Sequence, residues 1–365
     1  MPSFRLATSS SATASEVGIG MIQPGQDGRG APVVLAAAAA GLADFIAAQG
    51  GDIDGVFGRC GVAPEMTDAP TLQLPLGTFC ALFEEAARQT RNDNFGLWFG
   101  QQFSPRDLGM WGYAALSSPD LGAALGNFVD LFRYQQSSSV MRLAPASAAH
   151  MRLEYRIEAP AILARRQDAE LSLGQFTNVI RECCGRHWSP LEVHFEHPRP
   201  ENWRQHEMAF GAPVFFGAAS NAILFERTLL DRPMPGSDPK LLAMMRSCLE
   251  SMGSHPQAER LADRILAAIR QRLAEGAPNL EEIAAALRIA PGAIQKALAA
   301  EGLGFREAVE HVRFDLARHY LAQLHLPLSE IALLLGYSEL SAFTRAFTRW
   351  SGVSPRTWRA ALARH

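Results

Sequence analysis

Apolar residues recur at helical spacing through the first third of the chain. Leu42, Phe45 and Ile46 share one face; Phe79, Leu82, Phe83 and Ala86 share another, with Leu76–Gly77–Thr78 offering a cap before them. This pattern predicts helices over 31–102 and again over 109–134, where Ser118–Pro119–Asp120 is a start signal inside the run. Alternation then takes over. Residues 140–143, 151–157, 191–195 and 221–225 read as strands, separated by a helix over 161–184 that carries Leu171, Leu173, Phe176 and Ile180. Pro233, Pro235, Gly236 and Pro239 stop regular structure over 232–239, and beyond Lys240 every segment has the helical period. The organisation expected is a disordered leader (1–30), an α+β domain (31–231), a linker and connecting helix (232–258) and an all-α domain (259–365).

The last domain shows one pattern twice. Asn279 and Glu282 form a capping box ahead of Ile283, Ala284 and Leu287; a turn over 288–290 follows, and Pro291 opens a second helix through Ile294 and Leu298 that stops at Gly302. About fifty residues later Ser329 is the expected cap of a helix bearing Ile331, Ala332 and Leu335. Gly336–Tyr337–Ser338 makes the turn, and a helix from Glu339 buries Phe343, Ala346, Phe347 and Trp350. Its other face carries Ser341, Thr344, Arg345, Thr348 and Arg349. A helix over 305–323, roughly 28 Å long at its rise per residue, joins the two units. That suits two readers in successive major grooves ~34 Å apart once the width of each unit is added. A plain helical bundle has the same periodicity, so the pattern alone leaves both readings open.

Charge changes that balance. The formal net charge is −3, yet residues 259–365 carry 14 basic against 11 acidic side chains, and after Glu339 there are five arginines (Arg345, Arg349, Arg356, Arg359 and Arg364) and no acid. A locally basic end on an acidic chain fits an acidic or neutral sensor joined to a nucleic-acid reader. Five cysteines without C-x-x-C spacing read as free thiols, mostly buried, in a reducing compartment. The first residues lack the pattern of a signal peptide, and the most apolar stretch, 31–48, is broken by Gly41 and Asp44. A soluble, cytoplasmic protein without membrane contact is expected.

Residues 328–355 resemble the C-terminal hallmark of the AraC/XylS family of transcription regulators. The matching positions are Ile331-Ala332, Gly336-Tyr337-Ser338, Ser341, Phe343, Arg345-Ala346-Phe347, Trp350, Gly352 and Ser354-Pro355. Residues 103–125, 210–216 and Asp238-Pro239 resemble the arabinose-binding-like N-terminal domain of one branch, so the likeness runs from about Val33 to the C-terminus. The resemblance implies an α+β ligand-sensing domain followed by a double helix-turn-helix domain. It also implies double-stranded promoter DNA, a small-molecule effector and RNA polymerase as partners, and a homodimer. The family's DNA-contact positions fall on Leu340, Ser341, Thr344 and Arg345 in the second unit and on Gly292, Gln295 and Lys296 in the first; Arg349 lies on the same exposed face as Arg345. The first unit departs from the pattern, because Gly292 has no side chain to place in a groove. An activator is expected, with a repressor of the same architecture, or a ligand-binding interaction protein with degraded DNA specificity, as alternatives.

Other chemistry is thinner. Trp111, Tyr113, Phe132, Tyr134 and Trp188 are candidate pocket aromatics, though each also suits core packing, and Asp168 and Glu170 are candidate partners of a cationic ligand or members of internal ion pairs. Residues 166–174 and 192–198 resemble regulators of amine-dehydrogenase operons, and that resemblance implies an alkylamine effector. Cys183, Cys184 and His187 share too few ligands for a metal site unless distant His194 or His197 completes it. No phosphate loop or nucleophile motif appears, so neither an enzyme nor a cofactor nor a metal is expected.

Overall fold

The structure is a computed structural model, and it describes residues 31–252, 261–273, 276 and 278–362. The expected leader, the boundary at 259 and Arg364 lie outside the described residues. Helices α1 (Leu42–Ala48), α2 (Ile53–Cys60), α3 (Leu76–Thr90), α4 (Phe95–Gln102), α5 (Met110–Leu116) and α6 (Leu121–Gln135) form the first part of the N-terminal body. The run read as helical over 31–102 also contains two short strands, β1 (Val33–Leu35) and β2 (Gln73–Pro75), paired antiparallel. The start signal at Ser118–Asp120 divides α5 from α6, where the Asp120 carboxylate accepts from the Ala123 amide at 2.7 Å.

Strands β3 (Ser139–Pro145) and β4 (His150–Ile157) precede α7 (Arg166–Cys184); β5 (Glu192–Phe195), α8 (Arg204–Phe210), β6 (Val214–Phe216) and β7 (Asn221–Glu226) follow it. The five-stranded sheet has the order β3-β4-β7-β5-β6, antiparallel except for the parallel β5–β6 edge. Helix α7 begins five residues later than the apolar period predicts. Arg165, just before it, is turned to the sheet: its guanidinium donates to the Ile157 carbonyl and pairs with Glu196. From Gln167 to Thr177 every residue of α7 is buried, and α4 crosses it at backbone contact. A Cβ at Gly100 would lie 2.4 Å from the Leu171 carbonyl oxygen, and one at Gly174 would lie 2.6 Å from the Gly100 backbone. Only glycine permits that approach.

The proline-rich stretch after β7 is pinned across the start of α6, where the Leu121 amide donates to the Arg232 carbonyl at 2.9 Å. Helix α9 (Pro239–Met252) lies in the segment read as linker and connecting helix, and Met234 and Leu249 from that segment enter the first core. The second core is all-helical, built by α10 (Leu261–Arg272), α11 (Leu280–Leu287), α12 (Pro291–Ala299), α13 (Phe305–Ala322), α14 (Leu328–Leu334), α15 (Leu340–Ser351) and α16 (Pro355–Leu362). An α+β domain followed by an all-α double helix-turn-helix domain is therefore the observed architecture.

Candidate nucleic-acid interface and sensor site

Asn279 accepts from the Glu282 amide at 2.8 Å while Glu282 accepts from the Asn279 amide at 3.3 Å, the reciprocal box that starts α11. Arg288, at φ 55°, turns the chain into α12, which begins at Pro291. Ile294 and Leu298 are buried; Gly292, Gln295 and Lys296 are exposed. A Cβ at Gly292 would meet nothing within 4 Å, so this position offers bare backbone to open space. In the second unit Pro327 occupies the cap position, and Ser329, the cap expected from its residue type, lies inside α14 instead. Gly336, at φ 74°, makes the turn.

Helix α15 buries Phe343, Ala346, Phe347 and Trp350. The Phe347 ring packs against those of Phe314 and Trp358 at centroid distances of 5.8 and 5.7 Å. Leu340, Ser341, Arg345, Thr348 and Arg349 are exposed and Thr344 is half-buried. Thr344 donates to the Leu340 carbonyl at 2.9 Å, and Ser341 to Glu339 at 3.0 Å. Arg349 is engaged at home: it pairs with Glu310 of α13 at 2.9 Å, and Trp350 Nε1 donates to the same carboxylate at 3.3 Å. Arg306, Arg313, Arg345 and Arg349 border a groove of about 560 Å³ between α13, α15 and the start of α11, where Glu310 is the single acid among the described lining residues.

The sensor candidates do not converge. Trp111 stacks on Phe128 at 3.8 Å and donates its indole N–H to the Phe128 carbonyl at 2.8 Å, so it is core. Phe132 is buried edge-on to Tyr155. Tyr113 is on the surface, Tyr134 lies under the Arg133 guanidinium, and the Trp188 carbonyl accepts from Arg181. Asp168 is buried and accepts from the Tyr155 hydroxyl at 2.8 Å; burial pushes its carboxyl up to about 7. Glu170 is buried too, but Arg166 and His206 beside it overcome burial and hold it down at about 2. Both acids are thus occupied internally.

A cavity of about 100 Å³ lies between the two domains instead. Arg165, Glu196 and His197 face it from the sensor side, Arg270 of α10 and His319 and Tyr320 of α13 from the other. Arg270 donates to the Ile162 carbonyl at 3.4 Å, and among the described residues no carboxylate forms an ion pair with it. Burial, with Arg165 nearby, pushes Arg270 down to about 9, and burial with Arg270 pushes His319 down to about 4. Sequence reasoning missed this site, since its two walls come from different domains, residues 156–221 on one side and 267–334 on the other.

Residues 50–234 match the arabinose-binding domain of AraC transcription regulators, N-terminal, and residues 283–361 match a helix-turn-helix domain. The chain belongs to the AraC family of transcription regulators. It is 29% identical over 324 residues, 88% of this chain and 94% of the relative, to the HTH-type transcriptional regulator VirS of Mycobacterium tuberculosis. It is 28% identical over 334 residues, 91% and 97% of the two chains, to the ornithine utilization regulator of Pseudomonas aeruginosa. Among solved structures, the transcriptional regulator CdpR of Pseudomonas aeruginosa aligns over 84% of this chain and 96% of its own, at 22% identity and a TM-score of 0.41.

This AraC-family chain is therefore a DNA-binding transcription regulator with a ligand-binding N-terminal domain. Among its described residues no helix is long and apolar enough to cross a membrane. Its five cysteines are free thiols as expected, but only Cys80 is buried and the other four are half-buried.

Proposed function

We propose that this regulator activates transcription as a homodimer on promoter half-sites, recruiting RNA polymerase when a small effector is bound. The observation that carries the DNA reading is α15: a helix anchored by Phe343, Phe347 and Trp350 that turns Ser341, Thr344 and Arg345 outward. Placed in the major groove, Arg345 is suited to the acceptor pair of guanine, and Ser341, Thr344 and Leu340 to neighbouring base edges. On α12, Gln295 suits adenine and Lys296 guanine or phosphate, while Gly292 reads nothing. Arg349 contributes charge near the phosphates, held by Glu310. Met244 and Met252, exposed on α9, are a candidate dimer surface.

For the effector we propose a small amine that also carries an acid group, seated between the domains. Arg270 would take the acid group and Glu196 the amine. The name of the ornithine utilization regulator favours a ligand of that chemistry. Binding at a wall shared by both domains gives the effector different contacts when the domains separate, which linkage requires. DNase footprinting upstream of the chain's own gene, with and without ornithine, tests the reading, and a promoter fusion gives the sign. A footprint unchanged by Arg345→Ala at fixed salt overturns the α15 assignment; lower reporter output on activation of binding makes the protein a repressor.

A further inference from the structure

Glu170 of α7, His197 just after β5 and His206 of α8 converge inside the sensor domain. Each offers a ligand atom within 4.8 Å of the others. Side chains of Glu170 and His206 are fully buried and that of His197 is 10% exposed. Their hydrogen bonds leave an unresolved conflict. His197 Nδ1 lies 2.9 Å from the Pro198 carbonyl oxygen, which can only accept, so Nδ1 carries the proton. Its Nε2 lone pair then faces Glu170 Oε1 at 3.4 Å, acceptor against acceptor. Neither His197 Nε2, nor Glu170 Oε2, nor His206 Nδ1 has a hydrogen-bond partner. His206 Nε2 approaches the same Oε1 at 2.9 Å.

The geometry points to a binding site for a divalent transition-metal ion, held by His197 Nε2, His206 Nε2 and the Glu170 carboxylate. Two imidazoles and one carboxylate are the donor set that such ions take, with N and O ligands each about 2.0–2.2 Å from zinc. The Nδ1–H of His197 on a backbone carbonyl is the outer bond that fixes a ligating ring and its tautomer. His206 would pass its Nε2 proton to Nδ1, giving up its 2.9 Å hydrogen bond to Glu170 Oε1 in exchange for the bond from Nε2 to the ion. Arg166, with Nε 3.6 Å from Glu170 Oε1, opposes a cation, but it is also bound to Asp93 at 2.9 Å, which offsets its charge. Because His197 also lines the interdomain cavity, an ion has a route in, and a water molecule can supply a fourth ligand from that side. Protonation of His197 to the imidazolium would remove the same conflict without metal, so the two solutions must be separated by measurement.

Zinc uptake by the tag-free full chain, stripped with chelator and then dialysed against zinc, decides between them. The expected result is one zinc per chain. His197→Gln should weaken binding at least ~10-fold, whereas His194→Gln, three residues away and paired with Glu192 at 2.9 Å, should leave it unchanged. Because a ligand variant can misfold, cobalt is added to the wild-type chain as a second readout. A tetrahedral visible spectrum without a thiolate charge-transfer band supports the site; a thiolate band assigns the metal to Cys183 and Cys184 and overturns it. No zinc uptake by the wild type, or uptake indifferent to His197→Gln in a folded variant, also overturns it.

Discussion

The two helix-turn-helix units share a plan and differ in what they present. Counted from their caps, Gly292, Gln295 and Lys296 of α12 stand where Ser341, Thr344 and Arg345 stand on α15. Their anchoring differs as well. Helix α12 sits on Ile294 and Leu298, whereas α15 sits on Phe343, Phe347 and Trp350. Arg313 locks the second turn by donating to the Leu335 and Gly336 carbonyls at 3.0 and 3.3 Å and by lying 4.5 Å over the Tyr337 ring. The interdomain cavity touches α10, α13 and Leu334 of α14, and none of its described lining residues belongs to α11 or α12. The unit with the richer reading face is thus also the braced one and the one beside the sensor. The comparison teaches that the richer polar face, the aromatic anchoring and the contact with the interdomain cavity fall together in one half of a duplicated motif.

The most severe way to break that half is at its turn. Gly336 combines φ 74° with a Cβ position that would lie 2.2 Å from the Leu273 carbonyl oxygen. Gly336→Ala should cost about 3 kcal/mol, from backbone strain and a clash that no side-chain rotation relieves. Calorimetry should show the helical domain melting earlier with the sensor transition in place; an unchanged profile would mean that the turn is not packed against the end of α10. Next in size is Arg345→Ala, expected to lower affinity for a specific site by about 1–3 kcal/mol and to relax the base preference at one position. Equal losses on specific and random DNA, measured at one salt concentration, would reduce Arg345 to a phosphate contact.

Much of this unit is legible in the sequence, because its information is local. The spacing of Phe343, Ala346, Phe347 and Trp350 names the buried face, and Gly336 names the turn. The box at Asn279–Glu282 and the start at Pro291 are legible for the same reason. What escapes a reading of the sequence is long-range. Gln73–Pro75 becomes a strand only because Val33–Leu35 lies beside it, and Val214–Phe216 only by pairing with Glu192–Phe195 at the sheet edge. Helix α7 starts late because Arg165 is claimed by Ile157 and Glu196. Asp168 and Glu170 stand out in the sequence as charges on a helix, but their partners Tyr155, His197 and His206 cannot be inferred from neighbours along the chain. Arg349 stands on the expected face, yet its pairing with Glu310 depends on where α13 crosses.

The link between sensor and second unit can be sharpened by pH. His319 on α13 is held down at about 4 by burial and by Arg270 and Arg165. A histidine lowered on folding contributes stability that is present above its ordinary value near 6.5 and is lost as pH falls toward the folded value. Docking of the two domains should therefore weaken by on the order of 1–2 kcal/mol between pH 6.5 and 5. Glu170, lowered to about 2, loses its contribution only at more acid pH, below the ordinary carboxylate range. Thermal melts of wild type and His319→Gln over this window should diverge, with the variant flatter. Parallel curves would remove His319 from the interface.

The smallest effects belong to the first unit, and they decide whether it chooses bases at all. Lys296 is exposed at the position matching Arg345. If it serves only to hold phosphate, Lys296→Ala should weaken binding uniformly across sequences and lower the salt slope by about 1. Gly292→Ala then separates fold from recognition. Its new methyl group meets nothing within 4 Å, and alanine replaces glycine in a helix, so stability should rise by about 0.5–1 kcal/mol with no change of affinity. A loss of affinity from that one methyl would mean that the bare backbone at Gly292 lies against DNA. The first unit would then read by close approach rather than by side chains, and the inequality between the two units would be one of means rather than of strength.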